Sequence, residues 1–250
     1  KKVAKIVDKV ACIFPFEYDV YKEAGAYVEF VGHPLVDIVK PSMTKEEAMA
    51  FVGKEEGKKL ILLMPGSRLM EIEKMLPTLL EAAKIIKKQL PEVSFVMPRA
   101  GTIPISLLEE KIQASGLDVK ITEGNNYDLF SVADLALATS GTVTLEAALC
   151  GLGSVIVYKT NPVTYFIAKL LVNIPHIGLP NIVAAKSVVP ELIQNDFTPT
   201  KVAQEALALL ESERNEKMKE DLVYVKERLG KPGAVGRVAE LVLKIAREKR

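Results

Sequence analysis

Short apolar runs of strand length alternate with longer segments of helical period along most of the chain. The apolar runs, which predict strands, lie at residues 10–14, 27–31, 59–64, 93–97, 119–122, 135–138 and 154–158. Strands that read as continuous apolar runs are typical of a parallel sheet covered by helices on both faces. The pattern therefore predicts an α/β fold with a doubly wound parallel sheet.

The clearest helix follows the third of these runs. Apolar residues recur there at spacings of three and four, as expected for one buried face, and they are Ile72, Met75, Leu76, Leu79, Leu80, Ala83 and Ile86. Because Pro77 interrupts the pattern, we expect a kink, or a short first turn followed by the main helix. Further helices are predicted at residues 17–24, 142–150, 162–172, 199–210 and 233–249.

The beginning of the chain repeats this alternation on a small scale and ends in GHPLVDIVKP, whose glycine and prolines mark a boundary. So short a segment cannot form a closed α/β domain by itself. We therefore expect residues 1–40 to be the C-terminal part of a truncated N-terminal domain together with a linker. Residues 41–230 are predicted to form a complete Rossmann-like domain, and residues 231–250 a C-terminal helix.

Composition narrows the class of protein. A formal net charge of +1 provides no basic surface, so we expect no nucleic-acid partner. Cys12 and Cys150 lie far apart and the two histidines complete no zinc-ligand set, which favours a reducing, cytoplasmic compartment. No segment approaches the roughly 20 apolar residues of a membrane-spanning helix. The longest candidate, residues 163–172, contains Lys169.

The first candidate site directly follows the third apolar run and contains Gly66, Ser67 and Arg68. Glycine and serine let a ligand approach the backbone closely, and the helix that begins there offers N–H groups to an anion. Arginine adds a planar, charged donor suited to phosphate. The alternative is an ordinary turn with a surface arginine, because short glycine motifs have many chance matches.

The second candidate site, which contains Ser140, Gly141 and Thr142, also lies where an apolar run enters a helix. Its hydroxyls, flexible backbone and helix N-terminus suit a diphosphate. Glu146 follows one helical turn later on the same side, where its carboxylate can accept both hydroxyls of a ribose. The alternative is a helix cap with a surface glutamate. Two such sites in one parallel sheet favour ligand binding at the carboxyl ends of its strands.

A third polar segment contains Asn181, Glu191 and Gln194. An asparagine that follows a proline in an apolar loop can hydrogen-bond a sugar or uracil, although such an asparagine is more often a turn residue. His33 and His176 are predicted to be packing residues rather than ligands. The sequence has no Asp-x-Asp, no P-loop motif and no GxGxxG. We therefore expect neither a metal ion nor a cofactor.

Four segments occur in an order that resembles one family of glycosyltransferases. They are FPFEYDVYKEAGAYVEFVGHPLVD, LMPGSR with a following Glu-x-Glu, ATSGTVTLEAAL, and YKTNPVTYFIAKLLV followed by GLPNIVA and PELIQ. Together they resemble the lipid-A-disaccharide synthase family, whose members have the GT-B fold, and the resemblance covers nearly the whole chain. Lys186 is one departure, because the family often has an arginine there.

The resemblance implies inverting transfer of 2,3-diacylglucosamine from UDP-2,3-diacylglucosamine to 2,3-diacylglucosamine 1-phosphate. For that reaction we assign the helix N-terminus at Gly66, with Ser67, Arg68, Ser140, Gly141 and Thr142, to the diphosphate, and Glu146 to the ribose. Asn181, Glu191 and Gln194 are assigned more loosely to the nucleotide-sugar. The resemblance implies more about the rest of the enzyme. It also implies that the first third of the enzyme, with the acceptor site and catalytic base, is absent. Peripheral contact with the inner face of the cytoplasmic membrane and homo-oligomerisation stay open, and the truncated chain is expected to be inactive.

Two other functions stay open. One is another GT-B enzyme that uses UDP-N-acetylglucosamine, such as the peptidoglycan N-acetylglucosamine transferase or an epimerase. The other is a non-catalytic module that binds a sugar nucleotide.

Overall fold

The computed structural model describes residues 2–161, 165 and 175–248. In chain order, the helices and strands of these residues are α1 (Val3–Ile6), β1 (Val10–Cys12), α2 (Pro15–Glu23), β2 (Val28–Phe30), α3 (Leu35–Ile38), α4 (Lys45–Val52), β3 (Leu60–Met64), α5 (Leu69–Gln89), β4 (Ser94–Arg99), α6 (Ile105–Ser115), β5 (Lys120–Glu123), α7 (Asn126–Val132), β6 (Leu135–Thr139), α8 (Thr142–Leu149), β7 (Ser154–Tyr158), α9 (Leu179–Ala184), β8 (Glu191–Ile193), α10 (Pro199–Leu210), α11 (Ser212–Arg228) and α12 (Ala234–Glu248).

The larger sheet has six parallel strands in the order β5-β4-β3-β6-β7-β8. Because the chain first adds strands on one side of β3 and then on the other, the order reverses between β3 and β6. These two strands pair from Ile61 with Leu135 to Met64 with Ala138. Ligands of such sheets bind at the carboxyl ends of the strands, at this switch point. The predicted doubly wound parallel sheet is confirmed.

The apolar runs become strands because the sheet is covered on both faces. Every residue of β3 is buried, and its side chains alternate between two apolar clusters. Ile61 and Leu63 belong to the cluster that contains α5 and α10, whereas Leu60 and Leu62 belong to the cluster that contains α4 and α7. Burial of each such leucine or isoleucine contributes about 1.5–3 kcal/mol.

Helix α5 runs without a break through Pro77, so the predicted short first turn followed by a separate helix is wrong. A proline removes one N–H donor and leaves the carbonyl four residues earlier, here that of Glu73, without its helical partner. Both Pro77 and Glu73 are exposed, so that carbonyl lies on the solvent side of the helix. The opposite face, which includes Met75 and Leu76, is fully buried.

The sequence pattern missed β8, because this strand has only three residues and none of them is fully buried. The predicted helix at residues 162–172 lies outside the described residues, apart from Tyr165. No helix in the described part of the chain is both long enough and apolar enough to span a bilayer.

A second, two-stranded parallel sheet joins β1 to β2 near the beginning of the chain. The segment after β2 crosses the segment before α12, and the His33 N–H donates to the Leu229 carbonyl at 2.8 Å. The Arg237 guanidinium donates to the Val31 carbonyl at 2.8 Å, and the Asp37 carboxylate accepts the Gly233 N–H at 2.8 Å. The division of the chain near residue 40 stays a prediction.

His33 is a packing residue at this crossing, as its burial shows. It is 6% exposed and its ring lies 4.7 Å from that of Phe14. The His33 Nδ1 atom accepts the Leu35 N–H at 3.1 Å. Burial lowers the pKa of the His33 imidazole, although the charge of Glu17 acts in the opposite direction.

Candidate functional site

A cavity of about 420 Å³ opens at the carboxyl ends of β3 and β6, where the strand order reverses. It is lined by every residue predicted in the first two candidate sites, namely Gly66, Ser67, Arg68, Ser140, Gly141, Thr142 and Glu146. The two turns lie far apart in sequence and meet here because β3 and β6 are neighbours in the sheet. Further lining residues that the sequence reasoning did not assign are Met64, Glu71, Pro98, Arg99, Ala100, Asn126, Thr139 and Val143.

The turn after β3 is folded around the carboxylate of Glu71. Gly66 has φ +123°, and a Cβ atom at this position would lie 2.4 Å from Glu71 Oε2 and 2.6 Å from Glu71 Cβ. The Ser67 and Arg68 N–H groups donate to Glu71 Oε2 at 2.9 and 3.3 Å. The expectation of free N–H groups at the start of α5 is therefore wrong for these two groups, because a carboxylate of the same helix already binds them.

Both arginines that line the cavity are paired with carboxylates. Arg68 Nη1 lies 2.8 Å from Glu71 Oε1, but the Arg68 side chain is 79% exposed. An ion pair this exposed contributes only about 0.2–1 kcal/mol, so Arg68 can exchange its partner easily. Arg99 is held more firmly, since its side chain is 15% exposed, pairs with Glu123 and donates to the Ile103 carbonyl at 2.6 Å.

The turn after β6 leaves its helix open to an anion. Helix α8 begins at Thr142 after Gly141, and no side chain of the described residues caps it. The first N–H groups of a helix have no intrahelical partner and carry a partial positive charge. At this turn the Thr144 hydroxyl donates back to the Gly141 carbonyl at 2.8 Å, and the Ser140 hydroxyl donates to the Ile177 carbonyl at 3.0 Å. The exposed N–H groups of α8 are therefore the stronger anion site of the cavity.

Glu146 is a half-buried carboxylate one turn inside α8. Burial raises the pKa of its carboxyl group. Among the residues that the structure describes, none donates a hydrogen bond to it. Partial burial of a carboxylate without donors is unfavourable, and such groups are frequent at functional sites. A ligand with two adjacent hydroxyls would provide the missing donors.

The groups near Glu146 do not form a nucleophilic centre. Burial raises the pKa of the Cys150 thiol to about 11, so the thiol stays protonated near neutral pH. Burial also raises the pKa of the Tyr127 hydroxyl, and the charge of Glu146 raises it further. Within the described ranges, no cluster of histidine, cysteine, aspartate and glutamate could hold a metal ion.

The third predicted segment does not line this cavity. Asn181 is 0% exposed, and its Oδ1 accepts the Val188 and Val189 N–H groups at 2.8 and 3.0 Å. Its Nδ2 donates to Glu191 Oε1 at 2.7 Å and to the Val189 carbonyl at 2.9 Å. All the hydrogen-bonding capacity of the Asn181 amide is used inside the fold. A direct contact of Asn181 with a ligand would require these bonds to break, so the structure assigns it to loop positioning.

Glu191 and Gln194 also hold backbone groups. The Glu191 carboxylate accepts the Ile177 and Gly178 N–H groups at 2.9 and 3.0 Å. The Gln194 amide accepts the Thr160 N–H at 2.7 Å. Since the Ser140 hydroxyl donates to the Ile177 carbonyl, this network reaches the edge of the cavity. Its members therefore support the candidate site from outside rather than lining it.

Two other polar residues of this region, Lys186 and His176, have protein partners. Lys186 is paired with Asp221, and its ammonium group lies 5.3 Å from the centre of the Tyr224 ring. His176 Nδ1 lies 3.8 Å from Glu191 Oε1. Neither residue lines the cavity at the carboxyl ends of β3 and β6.

Comparisons with known proteins agree on one family for this chain. A family model described as lipid-A-disaccharide synthetase matches residues 1–242. The chain is 43% identical over 246 residues to the lipid-A-disaccharide synthase of Geobacter sulfurreducens, a match that covers 98% of this chain and 64% of that protein. The chain thus spans about 64–65% of the length of such curated relatives.

Solved structures with a similar fold share little sequence with the chain. One is the UDP-GlcNAc 2-epimerase of Neisseria meningitidis bound to UDP-GlcNAc, with a TM-score of 0.64, 15% identity, and coverage of 96% of this chain and 62% of that one. Another is WaaG, a glycosyltransferase involved in lipopolysaccharide biosynthesis, with a TM-score of 0.55, 14% identity, and coverage of 88% and 58%. At this identity the likeness concerns the fold, and the predicted GT-B type is confirmed.

Proposed function

The chain belongs to the lipid-A-disaccharide synthetase family, as its sequence resemblance predicts, and from that premise we propose that it is the donor-binding part of a lipid-A-disaccharide synthase. The complete enzyme would transfer 2,3-diacylglucosamine from UDP-2,3-diacylglucosamine to 2,3-diacylglucosamine 1-phosphate. The observation that carries this proposal is the cavity at the switch point. There the open N-terminus of α8 lies together with the carboxylate of Glu146, to which no described residue donates a hydrogen bond.

The cavity suggests how UDP would bind. The diphosphate would lie against the N–H groups at Gly141 and Thr142, with Arg68 turning from Glu71 to the phosphate oxygens. Glu146 would accept the two ribose hydroxyls, which would compensate for its partial burial. Ser67 and Ser140 lie beside these groups, and the network of Asn181, Glu191 and Gln194 would hold the neighbouring loops in place.

The reaction requires one bond to form and another to break at the donor sugar. The acceptor 6-hydroxyl would attack C1 of the donor glucosamine, the bond from C1 to the diphosphate oxygen would break, and UDP would leave with the electron pair. A base must take the hydroxyl proton. The α8 N-terminus and Arg68 would stabilise the charge that develops on the departing UDP. None of the residues that line the cavity is assigned as the base.

Acceptor binding and the catalytic base would then belong to the remaining third of the longer relatives, so that residues 41–230 form the UDP-sugar domain and residues 231–250 its C-terminal helix. Positioning of two substrates lowers a barrier by roughly 7–11 kcal/mol and needs both walls of the cleft. We therefore expect UDP binding, but no appreciable disaccharide formation, from these 250 residues. Because the proposed substrates are acylated, the complete enzyme would act in the cytoplasm at the membrane surface.

Titration calorimetry of the chain with UDP tests the donor-site proposal. Arg68→Ala should weaken UDP by about tenfold or more, since a charge-assisted hydrogen bond contributes about 1.5–3 kcal/mol. Arg214→Ala is the matched control, because Arg214 is an exposed arginine that pairs with Glu205 and does not line the cavity. Absence of UDP binding by the unaltered chain, or equal affinities for all three proteins, would refute the assignment.

Activity separates the proposed enzyme from the two alternatives. The chain is assayed alone and after extension to the full length of its relatives, with both acylated substrates and with UDP-N-acetylglucosamine. Turnover only by the extended chain, and only with UDP-2,3-diacylglucosamine, is the expected result. Preference for the non-acylated donor would indicate another GT-B enzyme, and binding without turnover by the extended chain would indicate a sugar-nucleotide-binding module.

A further inference from the structure

Thr139, the last residue of β6, has an unusual hydroxyl group. The residue is 3% exposed, and its Oγ1 atom is buried without a hydrogen-bond partner among the described residues. Among the described side chains, only Thr122 shares this condition. A buried hydroxyl without a partner destabilises a protein by about 1–3 kcal/mol, and a valine of the same shape would remove that penalty. The presence of threonine at position 139 therefore calls for a physical reason.

The position of Thr139 in the sheet gives a physical reason for a threonine there. Along β6, side chains alternate between the two faces, so Thr139 shares its face with Leu135 and Leu137. Both leucines are fully buried in the cluster that contains α5. Thr139 is the next residue on that face, where the apolar layer ends and the cavity begins, and it lines the cavity beside Ser140. A polar group is thus placed at the floor of the candidate site.

We expect the hydroxyl to reach a ligand by rotation of the side chain alone. Rotation about the Cα–Cβ bond moves the hydroxyl between three staggered positions and exchanges it with the methyl group. A threonine hydroxyl is a neutral donor, and its hydrogen bond to an ionised phosphate oxygen is stronger than one to a neutral acceptor. Both arginines of the cavity are already paired with carboxylates, so a neutral donor adds binding capacity without a further ion pair.

We propose that Thr139 is a further ligand-binding residue, whose hydroxyl donates a hydrogen bond to the diphosphate of the bound nucleotide. This inference rests on the proposed function. It explains why the chain retains a destabilising hydroxyl, because a group that lowers stability in the unliganded protein gains its partner when the diphosphate is present. Thr122 also has a buried hydroxyl without a described partner, but it lies on β5 and does not line the cavity. It therefore provides an internal comparison.

The test compares Thr139→Val, Thr139→Ser and Thr122→Val with the unaltered chain. Both valine variants should raise the Tm of the unliganded protein by about 2–4 °C, because each removes an unpaired buried hydroxyl. Only Thr139→Val should weaken UDP, by about tenfold, while uridine affinity stays unchanged. Thr139→Ser keeps the hydroxyl and should bind UDP with nearly the original affinity.

Each outcome decides a separate point. If the unaltered chain does not bind UDP, the proposed function fails and the inference fails with it. If UDP binds and Thr139→Val binds it equally well, only the inference is overturned. Equal losses in Thr139→Val and Thr139→Ser would also overturn it, because the shape of the side chain would then matter rather than its hydroxyl. A loss in Thr139→Val that extends equally to uridine would rule out a contact with the diphosphate.

Discussion

Replacement of Gly66 by alanine tests whether the turn after β3 is built around Glu71. Gly66 has φ +123°, a conformation that side chains with a Cβ atom rarely adopt. The added Cβ atom would lie 2.6 Å from Glu71 Cβ, which is fixed to the backbone of α5. Rotation of the carboxylate alone cannot relieve that contact, so the turn or the first turn of α5 must shift.

The expected loss of stability has two sources. A residue held in a sparsely populated backbone region costs about 1–3 kcal/mol. Displacement of Glu71 would also leave the Ser67 and Arg68 N–H groups without their acceptor, and loss of a helix cap costs about 0.5–2 kcal/mol. We expect Gly66→Ala to lower the free energy of unfolding by about 1.5–5 kcal/mol.

Gly141→Ala is the matched control, because it adds the same methyl group to the other glycine of the cavity. Gly141 has φ 170°, which is extended backbone, and an added Cβ would meet no atom within 4 Å. Its unfolding free energy should change by no more than about 0.5 kcal/mol. Urea denaturation followed by circular dichroism measures both variants. A Gly66→Ala variant as stable as Gly141→Ala would contradict the reasoning.

Two further variants test individual polar groups. Burial raises the folded-state pKa of the Glu146 carboxyl group, so the folded protein favours the protonated form. The stability that this form contributes is fully present below the ordinary carboxyl pKa of 4.5 and is lost as the pH rises through the folded-state pKa. Glu146→Gln should therefore be more stable than the unaltered chain at pH 7, and this difference should shrink as the pH falls below 4.5. Thermal scans at several pH values measure it, and a difference that does not depend on pH would refute the burial argument. Asn181→Leu should lower the free energy of unfolding by about 2–4 kcal/mol, because it leaves the buried Val188 and Val189 N–H groups without acceptors; unchanged stability in urea would argue against the loop-positioning role.

The sheet was predictable because its strands are buried on both faces. The five residues of β3 are apolar without exception, and neither helical nor alternating patterns compete with that signal. Strand β8 gave no such signal, since Glu191, Leu192 and Ile193 are only partly buried at the edge of the sheet. Edge strands need fewer apolar residues, so their pattern is weaker in the sequence.

The roles of polar residues were less predictable than their positions. The sequence placed Arg68 just after one strand and Glu146 one turn inside the helix that follows another, and both line the cavity. It could not show that the Asn181 amide is used up by Val188, Val189 and Glu191, because those partners are brought near only by the fold of the loop. The contribution of Glu71 was detectable in principle, since a glutamate three residues after the helix cap is typical of a capping box.

The residues at the carboxyl end of β4 were missed, although the sequence carries a weak signal there. Arg99, the last residue of β4, and Ala100 line the cavity, and Gly101 and Thr102 follow them much as Gly66 and Ser67 follow β3. Their place follows from topology, because β4 lies next to β3 on one side of the switch point. Once the order of strands is known, the carboxyl end of each neighbouring strand becomes a candidate for the ligand site.

The charges of the cavity indicate which of its groups contribute most to binding a diphosphate. Arg68 and Arg99 are balanced by Glu71 and Glu123, and Glu146 adds a further carboxylate. A diphosphate therefore gains little from net charge, and it must draw on donors that bring no counter-charge. The N–H groups of α8 and the hydroxyl of Thr139 are such donors. Of the two arginines, Arg68 has the exposed and weakly held ion pair, so it is the one that can turn to the ligand. Arg99 is tied to the Ile103 carbonyl and is better suited to shaping the cavity wall.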